Sequence, residues 1–135
     1  MKEITVNADL QNLDDVTDFI DDELEQSGVE LAMQTRINVV IDEIFSNIVN
    51  YAYKDGQGDV TVSVEVSEDP RSILLAFTDA GIPYDPLSAE EPDITLSAED
   101  RKIGGLGIFI VKKIMDEISH VYENGRNILQ MRKNL

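Results

Sequence analysis

Apolar and polar positions alternate from Lys2 to Ala8 (Ile4, Val6, Ala8), the period of a strand with one buried face. At Asp9 the period lengthens to about 3.6. Leu13, Val16, Phe19, Ile20 and Leu24 then share one side of a helix that Asp9 caps and that ends near Ser27-Gly28. A second helix is predicted from about Glu30 to Tyr53, with Ile37, Val40, Ile41, Ile44, Ile48 and Ala52 as its apolar face. Asp55-Gly56-Gln57-Gly58 stops it.

Val60, Val62, Val64 and Val66 alternate cleanly in Asp59–Val66, and a second strand is expected over Arg71–Asp79. Ser67-Glu68-Asp69-Pro70 between them favours a hairpin. From Ala80 to Lys102 the chain is rich in Pro, Asp and Glu, a loop long enough to suggest a lid or binding segment. Gly104-Gly105-Leu106-Gly107 opens a third helix running to roughly Glu117. A final hairpin pairs Ser119–Glu123 with Asn127–Arg132 about an Asn124-Gly125-Arg126 turn. The order βααββαββ predicts an α+β domain over residues 1–135: a two-layer sandwich with a mostly antiparallel sheet and three helices on one face.

Composition narrows the chemistry. There is no cysteine, which excludes disulfides and thiolate metal sites and suits a reducing cytoplasm. His120 is the single histidine, so a His-rich metal cluster is excluded. The N-terminus lacks the basic and apolar regions of a secretory signal, and no apolar run is long enough to span a membrane. A formal net charge of −16 argues against nucleic acid as a partner. The charge is unevenly spread. Residues 1–100 hold 24 acidic and 4 basic side chains (−20), whereas residues 101–135 hold 3 acidic and 7 basic (+4). The glycine segment opens that basic quarter, where a polyanionic ligand is expected.

Three short segments carry candidate chemistry. Glu43 and Asn47 stand at i and i+4, one above the other at the edge of the apolar face of the second helix. The Asn47 amide oxygen is a hard ligand suited to Mg²⁺, and Glu43 one turn earlier can orient or deprotonate a hydroxyl that attacks phosphate. Asp79 ends a strand and Gly81 permits the tight turn after it. A carboxylate there can accept a hydrogen bond from the exocyclic amine of adenine. Gly104, Gly105, Leu106 and Gly107 lie at a helix N-terminus, whose unpaired N–H groups and dipole attract anions. Arg101 and Lys102 just upstream can pair with phosphate oxygens. The segment has neither the Lys-Ser/Thr of a P-loop nor the spacing of a dinucleotide fold. Tyr84, in Ile82-Pro83-Tyr84-Asp85-Pro86, is open to a role in the core, in a lid or in stacking on a base.

In these segments the chain resembles the ATPase superfamily shared by gyrase, the heat-shock 90 chaperones, sensor histidine kinases and MutL. Within it the chain looks like the small anti-sigma-factor serine/threonine kinases. The resemblance rests on the run from Asp42 to Tyr53, on Asp79-Ala80-Gly81-Ile82-Pro83-Tyr84-Asp85-Pro86, and on Gly104 to Asp116. It implies a Bergerat ATP-binding fold using ATP and Mg²⁺, with Glu43 as base, Asn47 on the metal and Asp79 with Gly81 at adenine. Backbone phosphate contacts from Gly105 and Gly107 are implied too. The implied activity is phosphorylation of a serine or threonine on a STAS-type anti-sigma-factor antagonist. Implied partners are that antagonist, a sigma factor and a second copy of the chain. Two positions depart from the pattern. Tyr51 stands where many relatives have His, and Leu106 where many have Arg inside the glycine segment. Leu106 keeps a second reading open, a nucleotide-dependent binding module that sequesters a partner without phosphoryl transfer. An acidic interaction domain with no nucleotide is the third.

Overall fold

The computed structural model describes residues 1–53, 58–88 and 105–135. Strand β1 (Lys2–Asn7) is followed by a 3₁₀ turn, Leu10–Asn12, and helix α1 (Leu13–Gln26). Asp9 caps the 3₁₀ turn through the Gln11 N–H rather than α1 itself. Helix α2 (Leu31–Asn47) stops as an α-helix six residues before the predicted end at Tyr53 and runs on as a π turn, Ile48–Ala52. Strands β2 (Asp59–Ser67) and β3 (Ser72–Asp79) form the expected hairpin, its turn carrying Asp69 at positive φ. After a 3₁₀ turn at Pro86–Ser88 comes α3 (Gly105–Ile114), shorter than expected because β4 (Glu117–Glu123) already begins where the helix was predicted to end. Strand β5 (Arg126–Asn134) closes the chain. Asn124 and Gly125 both take positive φ, the geometry that makes Asn-Gly a tight hairpin turn.

Among the described residues five strands lie in the order β1-β2-β3-β5-β4, with each ladder antiparallel. Cross-strand partners share a face, and register therefore identifies the buried one. Val6 faces Val60, Ile4 faces Val62, Val62 faces Phe77, Phe77 faces Leu129 and Leu75 faces Met131. These side chains form a cluster with Val16, Ile20 and Leu24 of α1, Ile37, Val40, Ile41 and Ile44 of α2, and Ile108 and Val111 of α3. The three helices thus cover one face of the sheet, as the amphipathic periods predict. Burying each large aliphatic side chain stabilises the fold by about 1.5–3 kcal/mol. At the end of that same face the register pairs Val60 with Asp79 and Asp79 with Asn127. The apolar face therefore ends in two buried polar residues, 5% and 4% exposed. Among the described residues no helix is long and apolar enough to cross a membrane.

Candidate functional site

Asn47 is the last residue of α2 proper, just before the backbone widens into the π turn. It is buried, and among the described residues its Nδ2 has no hydrogen-bond partner. An orphaned amide of this kind costs about 1–3 kcal/mol, which a bound polar group would relieve. Asn47 lines a cavity with Ile44, Phe77, Asp79, Tyr84, His120 and Asn127 among its walls. In the fold Asn47 and Asp79, far apart in the chain, share one cavity.

Asp79 is held from two sides. Its Oδ1 accepts from the Gly81 N–H at 2.9 Å and from Asn127 Nδ2 at 3.0 Å. Oδ2 makes no hydrogen bond among the described residues. Gly81 is required for a reason other than the strained turn expected of it, since it does not adopt positive φ. A Cβ there would sit 2.7 Å from the Ala52 carbonyl carbon. The Ile82 N–H donates to that same Ala52 carbonyl at 3.1 Å. Close backbone contact thus seats the segment after β3 on the π turn after α2.

Tyr53 supports the same corner. Its hydroxyl donates to the Asp59 carbonyl at 2.8 Å and accepts from the Ala80 N–H at 2.6 Å. Burial raises the Tyr53 phenol above its ordinary range, so the hydroxyl keeps the proton it donates. The Tyr51 ring stacks on Tyr84 with centroids 5.7 Å apart and planes 28° from parallel. Tyr51 therefore packs against the strap of residues 82–86, and Tyr84 is a half-buried wall of the cavity. Burial likewise raises the Tyr84 phenol, with Tyr51 and Asp85 adding to the shift.

One turn before Asn47, Glu43 is half-buried and meets the glycine segment. A Cβ on Gly107 would lie 3.0 Å from Glu43 Cδ and collide with Oε2. The glycine is therefore what admits a carboxylate against the first turn of α3. Burial, and next the neighbouring Asp42, hold the Glu43 carboxyl above the usual glutamate range. A carboxyl shifted upward is a better proton acceptor near neutral pH than an ordinary one. Among the described residues no group of three His, Asp or Glu is arranged to hold a metal alone. A Mg²⁺ on the Asn47 amide oxygen would draw its remaining ligands from phosphate and water, the usual habit of that ion.

The fold thus joins Asn47 to Asp79 across a cavity and Glu43 to Gly107 across the α2–α3 contact. Gly105 is the first residue of α3 and Leu106 the second. Arg101, Lys102, Gly104 and residues 89–102 of the predicted loop lie outside the described residues. Sequence reasoning missed Asn127, His120 and Tyr53. Asn127 was only the expected start of a strand, and nothing local announces that β5 will pair with β3.

The model for the histidine kinase-like ATPase domain matches residues 6–133. The chain is 30% identical over 97 residues to the serine-protein kinase RsbW of Bacillus cereus strain G9842, covering 69% of this chain and 59% of that protein. It is 27% identical over 95 residues to RsbW of Bacillus mycoides strain KBAB4, with the same coverage. The chain thus spans about 59% of the length of these relatives. Among solved structures, the SiaB–SiaC complex of Pseudomonas aeruginosa contains a chain of like fold, with TM-score 0.60 and 16% identity. That likeness covers 98% of this chain and 89% of the other. An α+β sandwich matched by the family model over nearly its whole length leaves a plain assignment: the chain belongs to the histidine kinase-like ATPase domain family.

Proposed function

We propose that this chain binds Mg-ATP and transfers the terminal phosphoryl group to a serine or threonine of a STAS-type anti-sigma-factor antagonist, as a partner-switching regulator. The observation that carries the proposal is the shared cavity of Asn47 and Asp79, in which, among the described residues, Asn47 Nδ2 and Asp79 Oδ2 have no hydrogen-bond partner. The free Asp79 oxygen suits the exocyclic amine of adenine, whereas the carbonyl of guanine would meet it lone pair to lone pair. The backbone N–H groups at the start of α3 suit phosphate. Bound Mg²⁺ would neutralise charge on the phosphates. Glu43 lies one turn from Asn47 and against the start of α3, where it can take the proton of an attacking hydroxyl as ADP departs. The relatives named serine-protein kinases support the same reading.

The cavity holds only about 20 Å³ of open space. That is room for roughly one water, far below the roughly 300 Å³ or more of an ordinary ligand pocket. Admitting a purine requires the Tyr84 and Pro86 side chains to move aside, while the backbone of residues 82–84 stays held by Asn127. A cytoplasmic setting and a sigma factor or second copy as further partners belong to the same proposal.

Purified protein incubated with radiolabelled ATP and a candidate antagonist should phosphorylate a serine or threonine. Glu43→Gln should lose at least about a hundredfold in transfer rate, within the range of general-base catalysis, while ATP still binds. Undiminished labelling by that variant would remove Glu43 from the mechanism. Leu106, in place of the Arg of many relatives, favours a second reading: nucleotide-dependent capture of the partner without transfer. Under it, ATP changes partner affinity but no phosphoprotein forms.

A further inference from the structure

Asn127 and His120 line the cavity without a part in the chemistry above. Asn127 is 4% exposed and uses the full capacity of an amide. Its Nδ2 donates to Asp79 Oδ1 at 3.0 Å and to the Ile82 carbonyl at 2.8 Å. Its Oδ1 accepts from the Tyr84 N–H at 3.1 Å and lies 3.1 Å from His120 Nε2. The partners fix which end of the amide is which. A carboxylate and a carbonyl can only accept, and a backbone N–H can only donate. His120 therefore presents a proton on Nε2, and its Nδ1 lies 3.7 Å from Asp85 Oδ1. One side chain on β5 thus ties together the end of β3, the strap after it and β4.

We infer that Asn127 is the positioning residue for base selection at this site, an inference that rests on the nucleotide reading above. With the Gly81 N–H it saturates Asp79 Oδ1, so the carboxylate cannot rotate and offers a ligand Oδ2 alone. By gripping Ile82 and Tyr84 it fixes the strap that bounds the cavity. A fixed, single acceptor rewards a 6-amino purine and rejects a 6-oxo purine. A carboxylate free to turn, under a loosened strap, can leave its mismatch to water and discriminate poorly.

The test is calorimetry of Mg-ATP and Mg-ITP, which differ in the amine or carbonyl at the purine 6 position and the groups that follow from it. Wild type, Asn127→Ala and Asn127→Ser are compared, with melting temperatures measured alongside. Wild type should favour ATP, and Asn127→Ala should lower the ATP-to-ITP ratio by about tenfold or more. Asn127→Ser keeps one donor and should fall between, and it serves alone where the alanine variant does not fold. A purely structural Asn127 would weaken both nucleotides by the same factor, and an unchanged ratio in either folded variant overturns the inference. Wild type that binds both nucleotides equally removes the base readout and Asn127 with it, leaving nucleotide binding intact. Wild type that binds neither overturns the nucleotide reading itself.

Discussion

Under the proposed function, Asn47 sets stability against binding in a single side chain. Among the described residues its buried Nδ2 has no partner, so the free protein bears the cost of desolvating it. Asn47→Leu should raise unfolding free energy by about 1 kcal/mol in chemical denaturation, while abolishing the rise in melting temperature that Mg-ATP gives wild type. A leucine variant that kept the ATP-induced rise would take Asn47 out of the site. Gly81 behaves in the opposite way. Gly81→Ala should cost about 1–3 kcal/mol, because the new methyl meets the backbone of Ala52 and not a movable side chain. Glu43 sets a pH dependence whose sign follows from its raised pKa. The folded state binds this proton more tightly than the unfolded chain does. Ionised Glu43 therefore weighs against stability at neutral pH, and the penalty fades as pH falls through the folded pKa. Under the proposed function transfer runs the other way, because Glu43 acting as base has to be ionised. Its acid limb should lie above the usual glutamate range, and Glu43→Gln should be at least as stable as wild type at pH 7.

Between elements, the corner where α2, β2 and β3 meet depends on a few polar contacts. Tyr53 bridges the Asp59 carbonyl and the Ala80 N–H, one at the start of β2 and the other just past the end of β3. Tyr53→Phe leaves both without that partner and should lower stability by about 1–3 kcal/mol in denaturant titration. Under the proposed function ATP affinity should fall as well, because Ala80 follows Asp79. At the opposite end of the sheet, Asp116 joins the end of α3 to β5. Its Oδ2 accepts the Asn134 N–H at 2.7 Å, with Lys133 Nζ 3.4 Å away. The Asn134 N–H, aided by Lys133, lowers the Asp116 pKa against a smaller opposing effect of burial. This stabilisation is complete above the unfolded pKa and lost as pH falls through the folded one. Asp116→Asn should melt below wild type at neutral pH, and the gap should close below about pH 4.

The whole molecule carries a formal charge of −16, and like charges on a compact body repel. Added salt screens exposed charges over about 10 Å at 0.1 M. Melting temperature should therefore rise by a few degrees between low and moderate salt, where a fold held by surface ion pairs would lose stability. The described surface ion pairs, such as Lys2 with Glu23 and Arg132 with Glu117, are too exposed to reverse that sign. Under the proposed function the same long-range negative field opposes the approach of a nucleotide polyanion, although residues 101–135 carry a local +4. Mg-ATP should accordingly associate faster as salt is added.

Taken alone, the sequence determined the elements and their faces, because hydrophobic period is a local property. Val60, Val62 and Val64, the Ile37-to-Ile44 stripe and the Asn124-Gly125 turn all fall where their spacing puts them. It also marked Glu43, Asn47, Asp79 and Gly107 as candidates by residue type and spacing. Element ends were less legible. The shift of α2 into a π turn at Ile48 and the early start of β4 depend on packing that no local period encodes. Only the tertiary structure decided that Gly81 serves a backbone contact with Ala52, and that Gly107 makes room for the Glu43 carboxylate. It alone placed Asn127 against Asp79, 48 positions away in the chain. Such pairings follow from sheet order and register, which long-range burial selects and neighbouring residues do not specify.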